Sequence, residues 1–100
     1  MRRPWRQRKE EQLAAIAGAP EDVCALKAAD CLHNLTALTR DLRARGRDAL
    51  ARFNAGPAEI YWYNETVVEH VSPRLGDDHA LATELRQALG DFRQELDALR

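Results

Sequence analysis

Between Val23 and Leu35 an otherwise apolar stretch carries three polar side chains at helical spacing, Lys27, Asp30 and Asn34. Residues three and four apart share one face of an α-helix, so these form a single stripe, which Asp41 continues. Most of the remaining circumference is apolar. Cys24, Ala28, Cys31, Leu32, Leu35, Leu38 and Leu42 make a broad arc, and Leu26, Ala29 and Ala37 flank it. A helix that is apolar around most of its girth is expected to be buried. A buried carboxylate must then be paired or hold a metal ion, because an isolated buried charge is costly. Lys27, or an arginine elsewhere, is one partner for Asp30, and a metal ion is the other.

Further groups fit chemistry less closely. His33 lies three residues from Asp30 and suits a hydrogen-bonded structural histidine better than a second ligand. Cys24 and Cys31 are seven residues apart on one face, about 10 Å along a helix axis. That exceeds the ~7 Å Cα separation a disulfide tolerates, so both are expected to be reduced core residues. Tyr61, Trp62 and Tyr63 offer rings on which a nucleotide base can stack. Three consecutive helical positions point in three directions, however, so at least one ring should be core. The basic N-terminal residues Arg2, Arg3, Arg6, Arg8 and Lys9 can touch phosphates, but fit a solvated helix start better.

The breakers divide the chain into five helical stretches. The first runs from about Trp5 to Ala17 and ends at Gly18, Ala19 and Pro20. Pro20 is expected at the first position of the second helix, with Glu21 and Asp22 facing the positive end of its dipole. That helix should run to about Arg45 and stop at Gly46. A short third helix is expected over about Asp48 to Phe53. A fourth follows the Asn54–Pro57 turn and should kink or end near Ser72 and Pro73, since proline lacks an amide donor. Gly76, Asp77 and Asp78 form the next turn and cap. The last helix, from about His79, aligns Leu81, Leu85, Ala88, Phe92, Leu96 and Leu99 in one stripe.

Composition agrees with this division. The chain has 100 residues, 45% hydrophobic and 31% charged. Alanine and leucine dominate and no segment alternates with period two, so one all-α domain spanning residues 1–100 is expected. Fifteen basic against sixteen acidic residues leave a net charge of −1, which argues against a general nucleic-acid binder. There is no apolar run of membrane-spanning length and no signal-peptide h-region, so a soluble, cytoplasmic chain is expected.

The string Lys27-Ala28-Ala29-Asp30-Cys31-Leu32-His33-Asn34-Leu35 resembles a segment of the HD-domain metal-dependent phosphohydrolases. The likeness is to alarmone hydrolases of the RelA/SpoT type and their small bacterial relatives. Trp5, Arg8-Lys9 and Pro20-Glu21-Asp22-Val23 upstream resemble the lead-in of small HD proteins. Arg52-Phe53-Asn54-Ala55-Gly56 and Trp62-Tyr63 downstream resemble the segment that follows, so the likeness covers roughly residues 5 to 75. It implies a helical array like the second half of an HD domain. It also implies a divalent metal, usually manganese, held by a histidine, a histidine–aspartate pair and a later aspartate, which Asp30 matches. Asn34 matches an asparagine beside the bound nucleotide, a guanosine polyphosphate in the alarmone hydrolases. Lys27 becomes a phosphate or structural partner, and Tyr61 and Tyr63 become candidate nucleotide contacts.

The sequence departs from that pattern in ways that bear on activity. The family's histidine and histidine–aspartate pair precede the matching segment, and His33, His70 and His79 form no His-Asp dipeptide. Cys31 and Thr36 stand where the alarmone hydrolases usually carry basic residues. The expectation is therefore the C-terminal half of an HD-type hydrolase, without its metal centre and inactive alone. The alternative is a non-catalytic helical module that keeps the fold and binds a partner or nucleotide. Either way, apolar surface on the second, fourth and fifth helices is expected to lack cover. That calls for a homodimer or for the missing first half of the domain; the Leu81–Leu99 stripe fits either a dimer contact or an ordinary packed helix.

Overall fold

Seven apolar residues on one helical face organise the chain, and every other element is placed relative to them. In a computed structural model, which describes residues 4–51, 53, 55–76 and 78–99, there are four α-helices and one 3-10 helix. They are α1 (Trp5–Ala17), α2 (Glu21–Arg45), the 3-10 helix Gly46–Leu50, α3 (Pro57–Leu75) and α4 (Ala80–Asp97). The protein is all-α, with no strand among the described residues. No helix among them is long and apolar enough to cross a membrane. The chain forms a slab with Cα extents of 38 × 36 × 16 Å.

The long helix α2 presents Cys24, Ala28, Cys31, Leu35, Leu38 and Leu42 to the core, with Leu32 half-buried beside them. Against this stripe pack Ile60, Val67, Val68 and Val71 of α3 and Leu85 and Phe92 of α4. The helix is not buried all round, however. Lys27, Asp30 and Asn34 are exposed, as are Leu26 and Ala29 on the flank. Helix α1 leans chiefly on α3 and scarcely touches α2. An open groove is left along the polar edge of α2.

The helix ends follow local chemistry, with three corrections. Pro20 is the N-cap of α2 rather than its first residue, and Glu21 and Asp22 occupy the first turn. Gly46 terminates α2 with φ 61°, a left-handed conformation that glycine adopts without steric cost, and its amide donates to Leu42 O. The expected helix at residues 48–53 is instead a single 3-10 segment at Gly46–Leu50, which tucks Ala49 and Leu50 under the end of α2. Asp77 lies outside the described residues. The cap of α4 is His79, whose Nδ1 accepts the Leu81 amide at 3.1 Å.

Pro73 does not end α3, which continues to Leu75 and stops at Gly76, where φ is 106°. The proline is exposed, so its ring lies on the solvent side. The turn is held from outside: the Arg74 guanidinium donates to Ile16 O at 3.1 Å and also to Ala19 O. These carbonyls lie at and just beyond the end of α1, where a helix lacks intrahelical partners and carries partial negative charge. One side chain thus extends α3 past its proline and fastens α1 to the bundle.

The leucine stripe of α4 faces inward. Leu85 and Phe92 are completely buried, and Leu81, Ala88, Leu96 and Leu99 pack half-buried against the core. The expected uncovered apolar faces on α2, α3 and α4 are thus mostly covered within the chain. Among the described residues the exposed large hydrophobics are Val23 and Leu26, 38% and 60% exposed. Four helices suffice because α2 is long enough to pack both α3 and α4.

Replacing Arg74 with alanine should strip two charge-assisted hydrogen bonds from the end of α1. A loss of about 1–3 kcal/mol is expected in urea unfolding. Limited proteolysis should cut first around Gly18 and Ala19. Unchanged stability together with unchanged cleavage would show that α1 is held by α3 packing alone.

Candidate functional site

The groove beside α2 collects polar groups from three helices. Lys27, Asp30, Asn34 and Cys31 come from α2, Tyr63, Asn64 and Val67 from α3, and Lys9 and Ile16 from α1. Together they line a cavity of about 260 Å³. Helical spacing brings Lys27, Asp30 and Asn34 to one edge, as the sequence implies. Only the packing of α1 and α3 brings Lys9, Tyr63 and Asn64 opposite them. Tyr61 does not join this group. It lines a separate cavity between α3 and α4 and stacks on Phe92, with ring centroids 6.3 Å apart.

Asn64 organises the floor. It is 2% exposed, and its Nδ2 donates to Ile60 O at 2.9 Å. Its Oδ1 accepts from Asn34 Nδ2 at 3.3 Å and from the Cys31 thiol at 3.8 Å. A buried amide is stable only when its donors and acceptor are engaged, and this one links α3 to two positions on α2. Asn64 was not anticipated among the site residues. Its signal is nonetheless present, since it lies four residues from Ile60 and three from Val67, on the apolar face of α3.

The α1 wall is aromatic and cationic. Tyr63 donates its hydroxyl to Gln12 Oε1 at 3.1 Å and meets Trp5 edge-on, with centroids 6.4 Å apart. The Lys9 ammonium lies 4.7 Å from the Tyr63 ring centroid, within cation–π range. Trp62 turns the other way and carries the Arg6 guanidinium 3.4 Å from its ring centroid. The start of α1 thus packs on α3 through Trp5 and Arg6; Arg2 and Arg3 lie outside the described residues.

Burial tunes three groups of the cavity. It lowers the Lys9 pKa, with Arg8 adding a like charge. It raises the Tyr63 pKa, helped by the neighbouring Cys31. It pushes the Cys31 thiol up from 9.0 to about 12. Both cysteines are buried and free, as their spacing requires.

The carboxylate expected to be buried is exposed, so no burial cost calls for an ion-pair partner or a metal at Asp30. Among the described residues, no three His, Cys, Asp or Glu side chains come together to hold a metal ion. The adjacent Cys31 is a protonated thiol across the physiological range, hence a poor ligand. His33 is exposed and does not line the cavity. The residues present do not fit a divalent metal. Arg52 and Asn54, which take part in the HD-domain resemblance, lie outside the described residues. No protein-family model, curated protein or solved structure matches the chain.

Two measurements check this geometry. Asn64→Ala leaves a void and unpairs groups on both helices, and should cost about 1–3 kcal/mol of stability. Asn34→Ala, at the exposed rim, should cost less than about 1 kcal/mol. Equal effects would mean that Asn64 contributes nothing beyond its contact with Asn34. The raised Cys31 pKa sets a pH dependence as well. The unfolded chain releases this proton near pH 9 and the folded chain near 12, so between these values the folded state binds more protons. Stability should therefore decline as pH rises from 9 towards 12. At pH 8, alkylation of Cys31 in the folded chain should run roughly a thousandfold slower than in urea, as read by peptide mass mapping.

Proposed function

We propose that the chain is a helical binding module whose α1–α2–α3 groove takes the phosphate-bearing end of a nucleotide. The observation that supports this is the convergence of Lys9, Lys27, Asn34 and Tyr63, from three helices, on one small cavity, with two lysines against the single carboxylate of Asp30. Lysine ammonium groups attract phosphate as compact point charges. The Asn34 amide supplies a directional donor, and the Tyr63 ring gives a sugar or base a flat surface. A cavity of about 260 Å³ suits phosphates and a sugar better than a whole dinucleotide. Burial lowers the Lys9 pKa, and a phosphate paired with the ammonium would oppose that shift. The resemblance to HD-domain hydrolases favours a guanosine polyphosphate among nucleotides.

On this reading the chain binds without turnover, since Asp30 is a single carboxylate and hydroxide generation at a metal requires several protein ligands. A second reading has one observation in its favour. Asp30 and Asn34 stand one helical turn apart at the same cavity mouth, as an HD-type site requires. In that case the histidine and histidine–aspartate ligands would have to come from a second polypeptide, with Asp30 contributing a single carboxylate.

Isothermal titration with guanosine tetraphosphate tests the binding module. The binding module should show weak, salt-sensitive binding, lowered about tenfold in Lys27→Ala, and no release of pyrophosphate with manganese present. Absence of binding at millimolar nucleotide would refute the module. Manganese-dependent pyrophosphate release by the chain alone, abolished in Asp30→Ala, would replace it with an enzyme.

A further inference from the structure

A second cavity lies away from the groove, between α3, α4 and the 3-10 helix. It encloses about 550 Å³ and shares no lining residue with the first. That volume falls in the range of small-molecule sites, about 300–1,000 Å³, which are commonly formed between helices of a bundle. Its composition is that of a site for an amphipathic ligand.

One wall is the ring of Tyr61. Its stacking on Phe92, which is completely buried, fixes that ring in place before any ligand arrives. Leu96 and Leu99 supply half-buried apolar surface beside it. The rim carries two guanidinium groups. Arg93 lies 6.0 Å from the Tyr61 ring centroid, and Arg47 reaches towards the Leu99 carbonyl at 3.5 Å. Both arginines are exposed, and a guanidinium engages a carboxylate through two parallel hydrogen bonds.

Glu65 and Asp97 stand on the same rim, and they set the selectivity. Two carboxylates oppose a bare anion, and two guanidiniums oppose a cation. Neither charge alone can hold a ligand, so the apolar wall must contribute. We propose that this cavity binds a flat aromatic acid, with its ring against Tyr61, Leu96 and Leu99 and its carboxylate on Arg93 and Arg47. The phenol of Tyr61 stays protonated, because burial and then Glu65 raise its pKa, so its face is presented as a neutral ring. The site does not depend on what occupies the α2 groove.

Amide-resolved NMR titration of the full chain with 2-naphthoate tests the assignment, with inorganic phosphate as a second ligand. Naphthoate should shift the Ala58, Tyr61 and Leu96 amides saturably, and phosphate alone should leave them unmoved. Arg93→Gln and Arg47→Gln change exposed side chains, and each should weaken naphthoate about tenfold. Ala58→Trp, which fills the cavity from an exposed position, should abolish the shifts while the groove amides of Lys27 and Asn34 keep their positions. The proposal is overturned if naphthoate produces no saturable shifts at these amides. It is equally overturned if the double arginine variant binds as tightly as the parent, since the ring would then be adhering to apolar surface alone. Phosphate alone saturating the same amides would also overturn it, by showing a simple anion site.

Discussion

The burial of one face of α2 is the constraint on which the rest of the structure depends. Ala28, Leu35 and Leu38 are completely buried, and they lie on a stripe that runs from Cys24 to Leu42. Apolar burial contributes roughly 25 cal/mol per Å², so a stripe this long must be covered on both flanks. Helices α3 and α4 cover it, and they also pack on one another. The 3-10 helix closes the end of the stripe with Ala49 and Leu50. Once these positions are taken, the opposite edge of α2 has nothing left to pack against it but solvent and the distant α1.

That remainder makes the groove. Helix α1 reaches the bundle through α3, by way of Trp5 against Trp62 and Tyr63 and of Arg74 at its far end. It is held at both ends and stands off α2 in between. Polar side chains from facing helices can therefore approach one volume, with Lys27, Asp30 and Asn34 exposed at its rim and Asn64 buried at its floor. The same geometry explains why Asp30 is a poor metal ligand: among the described residues this exposed carboxylate joins no group of three His, Cys, Asp or Glu side chains, and a lone carboxylate gains little by coordinating a cation. Burial is concentrated instead at Asn64 and Cys31, whose mutual contact supports the floor on which the charged rim stands.

The two cavities differ in physical character, and the difference traces to which helices enclose them. The groove is walled by α1, a mostly polar helix, and presents lysines and amides. The cavity at the other end is walled by α4, the most amphipathic helix, and presents leucines and a tyrosine with arginines at its edge. A chain with almost no net charge thus has two locally distinct environments, one presenting lysines and amides and one presenting leucines and a tyrosine edged by arginines.

The sequence by itself determined the all-α class, the limits of α1, the identity of the α2 core stripe and the reduced state of both cysteines. These are consequences of helical periodicity and of breakers such as Gly46, which act within a few residues and need no long-range contact. It also determined that Lys27, Asp30 and Asn34 share a face. Tertiary structure alone decided that this face is open, because exposure depends on where α1 docks and not on how apolar the rest of α2 is. It decided that α3 passes through Pro73, since the Arg74 contacts that support its last turn reach carbonyls more than fifty residues away. It separated Tyr61 from Tyr63, two positions apart in the chain but about 160° from facing the same way on a helix that packs α4 on one side and α1 on the other. And it turned the α4 leucines inward, because whether a stripe faces its own core or a neighbour is set by the helices available to cover it, which no local pattern records.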